Sequence, residues 1–158
     1  SRASSSKVSV VCSVTDLGGS VLFIEGGVSV FDEQDEVLEG VFVKVTGCHS
    51  ARHFAFLDKQ GDELSERLAS LCLWIDSVPP GAAVLVAILN LAAETLEAVL
   101  AALSQLGVPQ ALPPRACRAM AAAGRRPQPE GGGRREEPFY SHASMDVAMA
   151  SIMPSPGS

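Results

Sequence analysis

Apolar positions change their spacing several times along this chain, and each change marks an element. Residues 7–58 hold short Val-, Ile- and Phe-rich runs broken by glycine pairs: "KVSVVCSV" (7–14), "SVLFI" (20–24), "VSVF" (28–31), "VFVKVTG" (41–47) and "HFAFLD" (53–58). Alternation of Val41, Val43 and Val45 with Phe42, Lys44 and Thr46 is the two-residue period of a strand, and the earlier runs have strand-like composition. Gly18-Gly19 and Gly26-Gly27 are read as hairpin turns, and 32–40 as a solvated acidic loop. From Asp62 the spacing becomes helical. Leu64, Leu68, Leu71, Cys72 and Ile75 share one face, Asp62 is the expected N-cap, and Val78-Pro79-Pro80-Gly81 ends the helix. "AAVLVAIL" (82–89) is too short for most helices and apolar on both faces, which predicts a buried central strand. Leu96, Val99, Leu100, Leu103 and Leu106 then form a second helical stripe over 92–106, closed by Gly107.

Beyond Gly107 the expectations are an edge strand in "VPQALPP" and a short helix over 115–123. "GRRPQPEGGGRREEP" (124–138) has nothing apolar to bury and reads as a linker. The last stretch, 139–158, is read as a docking tail with a short helix that puts Met145, Met149 and Ile152 on one face. The expected organisation is an α+β domain over 1–123, a linker over 124–138 and an extended C-terminal arm. The domain is expected to be a mixed sheet of short strands with two packed helices.

Neither apolar run around Pro79-Pro80 reaches the roughly 20 residues a membrane helix needs. Asn90 stops one, and Glu63, Glu66, Arg67 and Asp76 interrupt the other. The formal charge of −6 speaks against nucleic acid, which is bound through an excess of Lys and Arg. That imbalance is local: residues 1–123 carry 8 basic and 14 acidic side chains, whereas 124–158 carry 4 of each. The chain starts at Ser1 with a basic, Ser-rich "SRASSSK", which fits removal of a targeting segment and a lumenal, secreted or organellar destination.

Candidate chemistry is sparse. Cys12, Cys48, Cys72 and Cys117 have no C-x-x-C spacing, so no metal site is expected. Cys72 falls on the apolar helix face, while Cys12 and Cys48 are candidates for a disulfide in an oxidising compartment. "CHSARH" (48–53) is the one stretch resembling a Cys–His cluster. Neighbouring strand residues point to opposite faces, so Cys48 and His49 are read as parts of a loop rather than as a catalytic pair. Asp32, Glu33, Asp35, Glu36 and Glu39 lack the ligand order of a calcium loop. Trp74, the single Trp, is the candidate aromatic for a sugar ligand. In the arm, Arg125, Arg126, Arg134 and Arg135 are expected to meet carboxylates or phosphates, with Phe139, Tyr140, Met145, Met149 and Ile152 as apolar anchors on a partner. No catalytic residue and no cofactor is expected.

The order "LEGVFVKVTG", "HFAFLDKQGDEL", "LASLCLWIDSVPPGAAVLVAI", "LAALSQLG" resembles the interleukin-like EMT-inducer (ILEI), or PANDER-like, domain family over about residues 18–112. The matching positions are Gly40 to Val45, Phe56 to Asp58, Ile75 to Gly81, Val84 to Ile88, and Leu103, Leu106 and Gly107. The resemblance implies a non-catalytic α+β fold of secreted cytokine-like proteins and of a glycan-binding glycosyltransferase stem. Here the family's acidic pair after the central strand is replaced by Asn90-Leu91-Ala92, and its Trp-containing segment by "PPRACRAM". The expectation is a non-enzymatic interaction module, an accessory subunit of a larger assembly. Its alternatives are a secreted or lumenal carbohydrate-binding or cytokine-like domain, and an organelle-targeted accessory subunit such as one beside a photosynthetic membrane complex.

Overall fold

A computed structural model of the chain describes residues 7–47, 50–110, 118–128 and 139–153. Five strands come first: β1 (Val8–Thr15), β2 (Gly18–Glu25), β3 (Val28–Asp35), β4 (Gly40–Val45) and β5 (Arg52–Phe54). Helix α1 (Gly61–Ser77), strand β6 (Ala83–Leu89) and helix α2 (Ala93–Leu103) follow, and α2 continues into a 3-10 turn at Ser104–Leu106. Strands β7 (Ala119–Arg125), β8 (Tyr140–Ser144) and β9 (Val147–Ile152) complete the described elements. No helix among the described residues is long and apolar enough to cross a membrane.

The strands form two sheets, β3-β2-β1-β9 and β5-β4-β6-β7-β8. Every described pairing is antiparallel, so the fold is α+β but the expected mixed sheet is replaced by two antiparallel ones. The five-stranded sheet is the middle of three layers. Val41, Val43, Val84, Val86 and Ile88 face Leu71, Ile75, Val99, Leu100 and Leu103 of the helices. Phe42, Leu85, Ala87 and Leu89 face Val10, Cys12, Val21 and Phe23 of the four-stranded sheet. Strand β6 is therefore buried at all seven positions, as its two-sided apolar pattern predicts.

The C-terminal half departs from the sequence reading. Residues 119–125 are a strand, not a helix. Alanine favours helix in isolation, but between β6 and β8 this segment completes a ladder and buries six of its seven residues. Nor is 139–153 an arm: β8 extends the five-stranded sheet and β9 pairs with β1 in the other. The helical spacing of Met145, Met149 and Ile152 is overridden by a two-residue period in which Ala148, Ala150 and Ile152 point inward. Small Ala119, Ala121 and Ala123 meet Ala148 and Ala150 in the same core, which lets the sheets approach where the chain crosses between them. The domain thus runs past residue 123 and includes the supposed tail. Within the supposed linker, 124–128 are ordered parts of it, while 129–138 lie outside the described residues.

Smaller corrections follow the same physics. Helix α1 starts at Gly61 with Gln60 as an N-cap that makes no side-chain bond, and Asp62 sits in the first turn. Strand β3 runs through the acidic stretch as far as Asp35. The β1–β2 turn is Asp16-Leu17, with Gly18-Gly19 opening β2. In "VPQALPP", 108–110 form no strand and 111–114 lie outside the described residues.

Candidate functional site

Two surface features stand out, an uncovered sheet face and a cleft at the end of β6. The four-stranded sheet turns its inner side chains into the core, and no described element packs over its other side. Cross-strand partners share a side of a sheet, and the register places Leu22, Val11 and Met149 in one row across β2, β1 and β9. Asp32 extends that row on β3. The flanking rows are Ser20–Ser13–Val147 and Ile24–Ser9–Ser151, and Ser13 and Ser20 are hydrogen-bonded through their hydroxyls at 2.7 Å. Met149 is 59% and Val147 46% exposed, and Val30, beside the bulge between Phe23 and Ile24, is 42% exposed.

The residues expected to anchor an arm divide sharply. Phe139 and Ile152 are buried in the domain's own cores. Gly124 supplies bare backbone under the Phe139 ring, since a Cβ there would come within 2.5 Å of it. Arg126 donates from one guanidinium nitrogen to the carbonyls of Ile75 (2.6 Å) and Val78 (2.8 Å), closing the C-terminus of α1. Arg125 donates to the Met153 carbonyl. These four make internal ties of the domain. Tyr140, Met145 and Met149 remain exposed, together with Val147 and Met153. Arg134 and Arg135 lie outside the described residues.

The second feature is a cleft of about 610 Å³ where β6 ends, lined by Glu39, residues 56–61, Leu64, residues 90–92, Glu94 and Thr95. Both helices open onto it through their N-termini, and neither N-cap makes a side-chain bond. Asn90 turns the chain in the left-handed region (φ 57°) and donates its amide to the Leu38 carbonyl at 2.9 Å. Asp58, which also lines the cleft, turns the chain in the left-handed region as well, at φ 59°. The Glu39 carboxylate is buried and accepts the Phe56 N–H through both oxygens at 3.0 and 3.2 Å. His53 donates from Nε2 to the Glu39 carbonyl at 2.7 Å and stacks on Phe42 with ring centres 4.0 Å apart. Glu39 and His53 are therefore held as rim supports. Backbone N–H groups, Asn90, Thr95, Asp58 and Lys59 leave the cleft able to hydrogen-bond a small polar ligand.

The remaining sequence candidates do not converge. Cys12 is a free, fully buried thiol that donates to the Met120 carbonyl at 3.4 Å. It points inward because Val8, Val10, Cys12 and Val14 share the core side of β1. Burial pushes its pKa up to about 12, which holds the thiol protonated at neutral pH. Cys48 and His49 lie outside the described residues, as does Cys117. Trp74 packs half-buried against the helix-side core and does not line the cleft. Sequence reasoning missed the uncovered face because β9, which brings Met149 beside Val11, was read as a helix. It missed the cleft because Glu39 and Asn90 are 51 residues apart and joined only by the β4–β6 pairing.

No protein-family model matches the chain, and no curated protein sequence matches it.

Proposed function

We propose that the chain is a non-enzymatic interaction module, an accessory subunit that docks a protein partner on the open face of its four-stranded sheet. The observation carrying this reading is the Leu22–Val11–Met149 row, an apolar ridge on a sheet face that no described element covers. Contiguous exposed apolar surface beside an otherwise closed core is what protein docking uses. Val147, exposed in the flanking Ser20–Ser13–Val147 row, widens the patch. The test is co-purification from the native source with wild type and with Met149→Asp/Val147→Asp, two exposed positions that leave the core intact. A specific partner lost with the double variant is expected; a partner retained at full yield overturns the reading.

A second reading is favoured by the cleft: a saccharide or similar polyhydroxylated ligand held at the end of β6. It accords with the ILEI/PANDER-like resemblance, in which membership is likewise a proposal. Its support is the position of Asn90 in the cleft, where the family's acidic pair would stand. Glycan-array binding abolished by Asn90→Ala but not by Trp74→Ala supports it, and silence across a broad array removes it.

A further inference from the structure

The four-stranded sheet ends at a bare edge. Among the described residues β3 pairs with β2 alone, so every second N–H and C=O along its outer side has no strand beside it. The other sheet edges are short or covered: β5 has three residues, and β8 and β9 pack against each other. Phe31 fixes β3 against Phe23 and Phe42, with ring centres 5.4 and 6.1 Å apart. From Phe31 to Asp35 the pairing with β2 is regular, because the bulge falls at Val30. Opposite Val21 and Gly19, Glu33 and Asp35 face the core side of the sheet, whereas Asp32, opposite Leu22, faces outward. All three are exposed nonetheless, so no described element covers either side of β3 beyond Phe31. They have no cation on β3, and neither described ion pair, Lys44–Glu25 or Lys59–Glu63, involves them.

We infer that β3 takes up an extended basic segment of a partner protein as an added strand, with Lys or Arg side chains beside Asp32, Glu33 and Asp35. The unpaired ladder decides the form of the occupant, since an extended chain matches its spacing of donors and acceptors. The carboxylates decide its charge. An added strand carries side chains on both sides of the sheet, so it meets Asp32 on one side and Glu33 and Asp35 on the other. Bulges and inward-pointing charges are the usual guards of a sheet edge. Here the bulge spares Phe31–Asp35, and the guard has one sign. It turns away a second copy, which brings the same carboxylates, and leaves the edge open to a strand of opposite charge. The open face plays no part in this contact, which is separate from the docking proposed for that face.

The experiment titrates the full chain with labelled peptides of about 12 residues at moderate salt, following anisotropy, and then measures amide exchange at saturation. One peptide alternates Lys with Val and Thr. A second has the same sequence with its central backbone nitrogens methylated, which keeps the charge and removes the donors. A third carries Glu in place of Lys. The Lys peptide is expected to bind and to slow amide exchange within Phe31–Asp35 about tenfold. Asp32→Lys/Glu33→Lys, at two exposed positions, should weaken it about tenfold. Met149→Gln should leave it unchanged, and the methylated and Glu peptides should not bind. Failure of the Lys peptide overturns the inference, and so does equal binding of the methylated or the Glu peptide. Binding without protection at Phe31–Asp35, or binding lost with Met149→Gln, places the peptide elsewhere and overturns it too. Protection of Phe31–Asp35 that grows with the concentration of the chain alone assigns the edge to a second copy, with the same consequence. None of these results depends on whether a native partner is captured through the open face.

Discussion

The two sheets are built from similar strands and differ in what lies over them. The five-stranded sheet is covered on both faces, and its central strand tolerates no polar position. The four-stranded sheet is covered by described elements on one face, and its strand β1 alternates strictly, with Val8, Val10, Cys12 and Val14 inward and Ser9, Val11 and Ser13 outward. Where that outward set is serine, water satisfies it. Where it is Val11, Leu22 and Met149, it leaves an apolar ridge that the fold does not use.

The largest test of this contrast is a pair of identical truncations. Leu85, fully buried between the sheets, should lose about 3 kcal/mol on Leu85→Ala, in the range for a core leucine that leaves a cavity. Leu22 lies half-buried on the open face, and Leu22→Ala should lose about 1 kcal/mol or less. Denaturant midpoints measure both. Equal losses would mean that the open face is packed as tightly as the core and would break the comparison.

Arg126 comes next. Its two bonds to the Ile75 and Val78 carbonyls tie the C-terminus of α1 to the chain leaving β7, and Gly81 and Ala82 add a backbone clasp around it. Hydrogen bonds from a charged donor contribute about 1.5–3 kcal/mol, so Arg126→Ala should destabilise by about 2 kcal/mol. Amide exchange at the end of α1 should accelerate with it. A loss below about 0.5 kcal/mol, the ordinary range of surface substitutions, would return Arg126 to the partner-facing role expected of it from the sequence.

What was legible in the chain follows the same division. Strand β6 and both helices could be read because large apolar residues carried their periods: Val84 through Leu89, Leu71 with Ile75, Val99 with Leu103. Strands β7 and β9 could not. Most of their core-facing side chains are alanines, Ala119, Ala121, Ala122, Ala123, Ala148 and Ala150, too small to announce a buried face and, on propensity, helical. The eye then follows Met145, Met149 and Ile152, of which only Ile152 is buried. Gly124 and the polar stretch after it disguised the join, although the glycine is there so that Phe139 can pack on bare backbone. The cleft was invisible for a different reason, since strand pairing alone brings Glu39 and Asn90 together.

Cys12 offers a smaller, pH-resolved probe of the covered side. Its thiol pKa is raised by burial from 9.0 to about 12. Between those values the unfolded chain releases the proton and the folded chain keeps it, so unfolding is increasingly favoured as pH rises. Stability should be unaffected by this group below about pH 8, then fall by about 1 kcal/mol per pH unit from pH 9 towards 11. Cys12→Ala should abolish that slope while adding a pH-independent loss. A native Cys12 that a thiol reagent labels quickly at pH 8 would contradict its burial.

The smallest expected effect is the one that separates the faces most cleanly. Met149 sits on β9 between Ala148 and Ala150, both of which point into the core, while its own side chain is 59% exposed beside Val11. Replacing it by Gln keeps the length and the unbranched shape, and removes only the contribution of the thioether to an apolar surface. Surface substitutions away from caps and cores fall within about 0.5 kcal/mol of zero, so Met149→Gln should leave the denaturant midpoint almost unchanged. A hidden packing role would instead show as a loss comparable to that of Leu22→Ala, and the ridge would then belong to the fold's own stability. Stability unchanged together with weakened partner capture is the outcome that assigns the ridge to docking, because a residue that contributes nothing to folding and much to binding can only be acting on what lies outside the domain.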